Sequence, residues 1–209
     1  MGVILSGILG GFSGKVGPVV GANWKTIDYM RKYSIPENPN TVNQQTVRTK
    51  FAALVDIARR ILSTVLQPYW DPFYTNMSGF NAFIKENYTT VDGSNKLQTT
   101  SILSKGTLDP SDTISAVYTT GSGQVQVTWS DAIEGNGLGT DDSNAVIYDT
   151  TTGKMWASSS LDTRANGTGS FTIDAGLTAT NLLCWQFFSR GTGGSLIVSD
   201  SIGDTCAAP

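Results

Sequence analysis

From residue 97 onward, apolar and polar residues alternate in a series of short segments. In QVQVTW (124–129), Val125, Val127 and Trp129 fall on one side and the polar residues on the other. A period of two is that of a β-strand with one buried face. Comparable segments, separated by turn residues, occur at 97–103, 113–118, 143–150, 154–159, 169–174, 182–190 and 195–200. This spacing predicts an immunoglobulin-like β-sandwich over residues 97–209, although the Cys…Trp…Cys pattern of antibody domains is missing.

One long amphipathic helix is predicted before these strands. Thr41 and Gln44 match the capping box that begins many helices. Pro68 marks the end, because proline lacks the N–H that would continue a helix. Between them, apolar residues recur in alternate steps of four and three, at Val47, Phe51, Leu54, Ala58, Ile61 and Val65. The pattern predicts a helix over residues 41–66, and with it a mainly β fold that has a helical N-terminal segment.

The segment 68–88 is dense in aromatic residues and has two interpretations. Phe80, Phe83, Ile84 and Tyr88 recur at helical spacing, which is typical of a buried face and favours a contribution to the core. Exposed aromatic rings also stack on sugars, so Trp70 and Tyr74 are candidates for a glycan platform.

The opening stretch, GVILSGILGGFSGKVGPVVGANWK (2–25), contains a Gly14–Lys15 pair like that of a phosphate-binding loop. Such a loop needs glycine five positions before the pair and Ser or Thr after the lysine. Leu9 and Val16 occupy those positions, so nucleotide binding is not expected. Lys15 and the glycines interrupt the apolar stretch, so neither a transmembrane span nor a secretory signal is predicted.

An extended, glycine-rich arm is the remaining interpretation of this stretch. Its apolar side chains would be costly to leave in water. The arm therefore lies either against its own domain or against a neighbouring subunit. The predicted organisation is an arm and connection over 1–40, a helical segment over 41–96 and the β-sandwich over 97–209. The candidate assembly residues are Val3, Ile4, Leu5, Ile8, Leu9, Phe12, Val16, Val19 and Val20.

The composition argues against catalysis and against a bound cofactor or metal. The chain has no histidine, the commonest general base and metal ligand. Cys184 and Cys206 are too few for a zinc site without histidine, and a disulfide between them is left open. The acidic loop 130–144 carries four carboxylates with no calcium-loop spacing, Asp131, Glu134, Asp141 and Asp142.

Charge is sparse, at 15% of residues, and unevenly distributed. Residues 1–60 carry eight Lys/Arg against three Asp/Glu, a net +5, and the remaining 149 residues carry a net −8. The basic residues do not cluster with stacking aromatics, so no specific nucleic-acid binding is predicted. The favoured interpretation of the basic residues is a solvated helix face together with charge complementarity to the acidic part of the chain.

Six motifs spread along the chain form one pattern. The first is GILGGFSGKVGPVVGANWKTIDYMR (7–31), with GILGGFSGKVG as its distinctive part, and it is similar to the opening signature of a family of unknown function found in Bacteroidota bacteria and their phages. The resemblance continues through QQTVRTKF (44–51), SGFNAFIKENY (78–88), SKGTL (104–108), VQVTWSD (125–131) and SDSIG (199–203). The family has no established activity, so the resemblance implies no catalytic residues. The glycine-rich loop 134–140 and the CAAP tail depart from its pattern.

The sequence therefore predicts a non-enzymatic structural or interaction protein. The leading hypothesis is a phage virion component or surface-assembly subunit whose N-terminal arm contacts its neighbours. Its expected location is the virion or the cell surface, after synthesis in the cytoplasm. The alternative is a carbohydrate-binding or adhesion module of a bacterial surface protein.

Overall fold

The computed structural model describes the backbone of residues 3–4 and all of residues 11–35 and 37–209. The chain divides into two compact units, Met1–Thr41 and Val42–Pro209. Apart from Thr41, the helical segment predicted for 41–96 thus belongs to the same unit as the β-rich remainder. Among the described residues, no helix combines the length and apolar character that crossing a bilayer requires.

The first unit contains a four-stranded antiparallel sheet in sequence order. Its strands are β1 (Val3–Ile4), β2 (Phe12–Val16), β3 (Val19–Trp24) and β4 (Ile27–Lys32). The prediction of an extended arm is wrong between Phe12 and Lys32, because the chain reverses there twice. Gly17 has a φ of 57° and forms the first turn with Pro18. Lys25 and Thr26, with φ of 47° and 72°, form the second, a geometry that non-glycine residues rarely adopt. Leu5, Ile8 and Leu9 lie outside the described residues.

The second unit begins with the helix α1 (Val42–Arg60), directly after Thr41. The helix ends earlier than predicted and continues as a π-helical turn, Leu62–Leu66, and a single turn, α2 (Gln67–Tyr69). Leu66 N donates to Ile61 O at 3.0 Å, five residues back. The cause is Pro68, which has no N–H and whose ring crowds the carbonyl four residues earlier; the wider turn accommodates it.

The apolar stripe of α1 is buried only in its second half. Leu54 and Ala58 are buried, as are Ile61 and Val65 beyond the helix end, whereas Val47 and Phe51 are about half exposed. A further helix, α3 (Gly79–Asn87), begins at Ser78, whose Oγ accepts from Asn81 N at 3.4 Å.

Two antiparallel sheets follow the helices. The first has the order β5–β6–β9, formed by Ile114–Thr119, Gln124–Trp129 and Thr168–Thr172. The strands of the second are β7 (Asp142–Asp149), β8 (Met155–Thr163), β10 (Leu182–Arg190), β11 (Ile197–Val198) and β12 (Ile202–Thr205). Their order is β11–β10–β7–β8, with β12 also paired to β10. The predicted mainly β fold is confirmed.

The five-stranded sheet is covered on both faces. Successive residues of β10 alternate between two hydrophobic clusters, so that Trp185 and Phe187 pack with the helices. Cys184 and Phe188 pack with the three-stranded sheet instead. β10 is therefore buried along almost its whole length. The unit has three layers, helices, five-stranded sheet and three-stranded sheet, with one hydrophobic cluster at each boundary.

The strand predicted at 97–103 is absent, because side chains there satisfy the backbone locally. Asn87 in α3 accepts from Ile102 N at 2.7 Å and donates to Ile102 O at 2.8 Å. Ser101 Oγ accepts from Gln98 N at 3.0 Å. These bonds replace a sheet ladder. Leu97 and Leu103 still bury their side chains beside the helices.

Candidate functional site

The N-terminal sheet leaves large apolar side chains in solvent. Within its unit, over residues 11–35 and 37–41, Gly21 is the only buried residue. Trp24 pairs with Ile27 across the second hairpin, and alternation places Tyr29 on the same face. Trp24 is 63% exposed and Ile27 62%. We call Trp24, Ile27 and Tyr29 the N-terminal surface.

The opposite face of this sheet is also apolar. Met30 is 70% exposed. With Val19 and Pro18 it lines an open depression of about 490 Å³ whose remaining walls are Arg31 and Lys32. Of the predicted assembly residues, Val16 is exposed, whereas Phe12, Val19 and Val20 are partly buried. Only the backbone of Val3 and Ile4 is described, in β1.

The Gly14–Lys15 pair lies inside a strand. Gly14 pairs with Gly21 and Lys15 with Val20, so the backbone here belongs to a ladder between strands. A phosphate-binding loop instead points successive N–H groups at its ligand. Lys15 Nζ lies 3.7 Å from the centre of the Tyr33 ring, a cation–π contact.

One carboxylate of the acidic loop forms a buried ionic cluster. Asp141 accepts from Arg164 Nε at 3.2 Å and from Arg190 Nε at 2.5 Å. Arg164 also donates to Asp109 O at 2.6 Å, and its guanidinium carbon lies 3.7 Å from the centre of the Phe188 ring. Asp141 thus binds two arginines at once and connects the loop to the sheet.

The pKa of Asp141 is lowered although burial alone would raise it. The hydrogen bond from Arg190, the Leu138 N–H and the charge of Arg164 together outweigh burial. The Asp141 carboxylate therefore remains ionised and is held by these hydrogen bonds and ion pairs. Across the described part of the chain, no three Asp, Glu or Cys side chains lie close enough together to hold a metal ion.

The two candidate glycan residues lie beside one another in the helical layer. Trp70 is only 1% exposed, and its indole N–H donates to Leu103 O at 2.8 Å. Tyr74 is partly buried, and its ring stacks on that of Trp70 at 5.7 Å. Trp70 therefore presents no ring face on which a sugar could stack.

A cleft of about 450 Å³ opens between the helical turn at 67–72 and one end of the five-stranded sheet. Tyr69 and Asn144 form its floor: Tyr69 Oη donates to Asn144 Oδ1 at 3.0 Å, and Asn144 Nδ2 donates to Ser189 Oγ at 2.8 Å. Burial raises the pKa of Tyr69, with Asp142 adding to the shift and a hydrogen bond with Ser189 opposing it, so the phenol stays neutral.

A bulge in β8 supplies the hydroxyl groups of the cleft. The register between β7 and β8 shifts at Ser143/Ala145, which leaves residues 159–161 outside the regular ladder. Ser160 adopts a φ of 55°, a conformation uncommon for any residue except glycine. Its N–H donates to Asn144 Oδ1 at 3.1 Å and its Oγ to Asp142 Oδ1 at 2.9 Å. Strained residues of this kind often mark binding sites.

Sequence reasoning did not find this cleft, since its residues come from four separated segments. The one available signal is the serine run at 158–160, which interrupts the alternation expected of a strand.

The two cysteines are free thiols buried in the cluster between the sheets. Burial raises the pKa of Cys184, and it raises that of Cys206 to about 12. Cys206 lies in the CAAP tail, and Cys206 N donates to Leu182 O at 2.9 Å. The next residue, Ala207, pairs with Val117, so the tail connects the two sheets.

The fold thus defines a mainly β protein with a helical layer and a separate N-terminal sheet. Its sequence matches the family of unknown function DUF6266 over residues 11–203, and the chain belongs to that family. The resemblance to an uncharacterised family is thereby confirmed. No curated protein matches the chain.

Proposed function

We propose that this protein is a non-enzymatic assembly subunit whose N-terminal surface binds a second copy of the chain. The observation that carries the proposal is the N-terminal surface, where Trp24 and Ile27 are each more than 60% exposed and Tyr29, on the same face, is 44% exposed. Scattered apolar residues are ordinary on a protein surface, but a contiguous group on a small sheet is typical of an interaction site.

The energy available to such a contact is substantial. Burying each large apolar side chain contributes about 1.5–3 kcal/mol. Trp24 and Ile27 together would contribute about 3–6 kcal/mol, a factor of about 10² to 10⁴ in the dissociation constant. Tryptophan is also enriched among the residues that dominate interface energies.

Charge favours a second copy as the partner. The first unit carries four Lys/Arg against two Asp/Glu, a net +2, and the second carries ten against fifteen, a net −5. Lys25 and Arg31 adjoin the N-terminal surface. The basic sheet of one copy is therefore complementary to the acidic unit of another.

The setting we propose is a phage virion or a bacterial surface assembly, with the two sheets of the second unit forming an immunoglobulin-like sandwich. Low charge and a β-rich fold with face-to-face sheets support this setting. Capsid, portal or tail genes beside the gene are expected, and a neighbourhood of metabolic genes would argue against the virion.

Analytical ultracentrifugation of the full chain, at about 1–100 µM, tests the assembly proposal. We expect concentration-dependent self-association that weakens with added salt, because the complementary charges are screened. The double variant Trp24→Thr/Ile27→Thr keeps β-forming residues in both strands. It should raise the dissociation constant at least about 100-fold.

Met30→Thr is the matched control, because Met30 is similarly exposed, at 70%, but lies on the opposite face of the same sheet. It should self-associate like the unmodified protein. A full chain that is monomeric throughout, or a double variant that associates normally, would contradict the proposal.

A further inference from the structure

We propose that the cleft between the turn at 67–72 and the five-stranded sheet binds an uncharged saccharide. This site is distinct from the N-terminal surface, and it does not use Trp70 or Tyr74.

The size and lining of the cleft suit a small ligand. Its volume, about 450 Å³, lies within the range of about 300–1,000 Å³ that is usual for ligand pockets. Pro68, Pro72 and Leu196 form apolar walls beside the Tyr69 side chain. Such walls match the C–H face of a pyranose ring, whose edge carries hydroxyl groups.

The polar floor is held in place before any ligand arrives. Asn144 is 2% exposed and joins three elements: it accepts from Tyr69 and from Ser160 N, and it donates to Ser189. These bonds fix the Ser160 backbone at positive φ and direct its hydroxyl toward Asp142. A prearranged set of polar groups loses less entropy when it binds a ligand.

The chemistry of the lining selects for hydroxyl groups over charge. Serine and threonine hydroxyls come from Ser159, Ser160, Ser189 and Thr192, and a single carboxylate comes from Asp142. A carboxylate only accepts hydrogen bonds, whereas hydroxyls both donate and accept. None of the described residues that line the cleft is a lysine or an arginine, which disfavours phosphate, sulfate and acidic sugars.

A second cavity extends the site. It measures about 280 Å³ and shares Pro68, Tyr69, Asn144 and Ser159 with the first. Its own walls include Ser63, Thr64 and Ser158. A ligand longer than one sugar unit would therefore find further hydroxyl partners beyond Tyr69.

The test is saturation-transfer NMR on the full chain with maltose, cellobiose, mannobiose and N,N′-diacetylchitobiose, followed by titration of any that bind. Two variants remove ligand contacts while keeping the fold. Ser160→Gly deletes the hydroxyl at a position whose φ suits glycine, and Asp142→Asn removes the charge without changing shape. We expect each to weaken binding at least about 10-fold, since Ser160→Gly deletes a hydrogen bond to the ligand and Asp142→Asn replaces a charged acceptor by a weaker neutral one.

Asn95→Gly is the matched control, because Asn95 also has positive φ, 61°, but lies in a turn away from the cleft. It should bind like the unmodified protein. The proposal is overturned if none of the four sugars binds at about 10 mM, a weak-affinity limit, or if binding survives both cleft variants. Preferential binding of a lysine-rich peptide, abolished by Asp142→Asn, would overturn it in favour of a cationic ligand.

Discussion

Arg164 Nε lies 3.2 Å from a carboxylate oxygen of Asp141, and the two side chains are 1% and 0% exposed. Breaking a buried ion pair from one side leaves an uncompensated charge in the interior. Arg190 shares the same carboxylate, so the loss of Asp141 would leave two guanidinium groups without their carboxylate partner. This relationship makes Asp141 the carboxylate of the acidic loop whose replacement should cost most.

Asp141→Asn should therefore lower the free energy of unfolding by about 3–5 kcal/mol. Urea denaturation followed by tryptophan fluorescence would measure the loss. Asp131→Asn, in the same loop but exposed, is the control and should change stability by less than about 0.5 kcal/mol. Equal effects of the two substitutions would contradict a structural role for the ion pair.

Acid should destabilise the protein through Asp141 and Asp149. Burial raises the pKa of Asp149, but hydrogen bonds from the Thr152 hydroxyl and from the N–H groups of Thr151 and Thr152 lower it by more. The net shift of this pKa is therefore downward. A carboxylate with a depressed pKa stabilises the fold fully above its ordinary pKa of 3.8 and loses this contribution as pH falls through the folded value.

We expect the free energy of unfolding to be nearly constant from about pH 7 to 5 and to fall below about pH 4. The difference between the unmodified protein and Asp149→Asn should shrink over the same acidic range, because Asn does not titrate. Denaturant melts at several pH values would measure it. A difference that is independent of pH would assign the stabilisation to packing.

Neither thiol should react in the folded protein. Cys184 is fully buried and Cys206 is 2% exposed, and burial raises both pKa values, so little thiolate forms at neutral pH. Ellman's reagent should detect no thiol under native conditions and two in guanidinium chloride. Detection of no thiol in the denatured chain would instead indicate a disulfide.

Gly203→Ala should be strongly destabilising. A Cβ at Gly203 would lie 2.2 Å from Thr99 O and 2.6 Å from Trp185 Nε1, positions fixed by β10 and by the segment at 97–103. Overpacking of this kind costs about 1–3 kcal/mol. Gly93→Ala is the control, since a Cβ added there would meet no described atom within 4 Å and its φ is not positive. Thermal melts of both variants would compare them.

Sequence periodicity predicted the regular strands best. Residues 124–129 form a strand with the predicted bounds, because one face is buried and the other exposed. Residues 182–190 also form a strand with the predicted bounds, which a continuous apolar run indicates. Such a run does not reveal what covers each face, so the packing of the helices on Trp185 and Phe187 could not be foreseen.

The candidate sites were harder to predict because they depend on turns and on distant contacts. The turn at Lys25–Thr26 uses residues without a turn preference, so the hairpin it forms has no signature in the sequence. The cleft needs Tyr69, Asn144 and Ser160 to meet across 91 residues of chain, which local patterns do not encode.

The burial of β10 on both faces ties the layers of the second unit into one cooperative structure. Loss of the helices would expose Trp185 and Phe187, and loss of the three-stranded sheet would expose Phe188 on the same strand. Both outer layers pack against β10. If either layer unfolds, it exposes one face of the strand that supports the other layer. Residues 42–209 should thus unfold in a single calorimetric transition, with equal van't Hoff and calorimetric enthalpies and no half-unfolded intermediate.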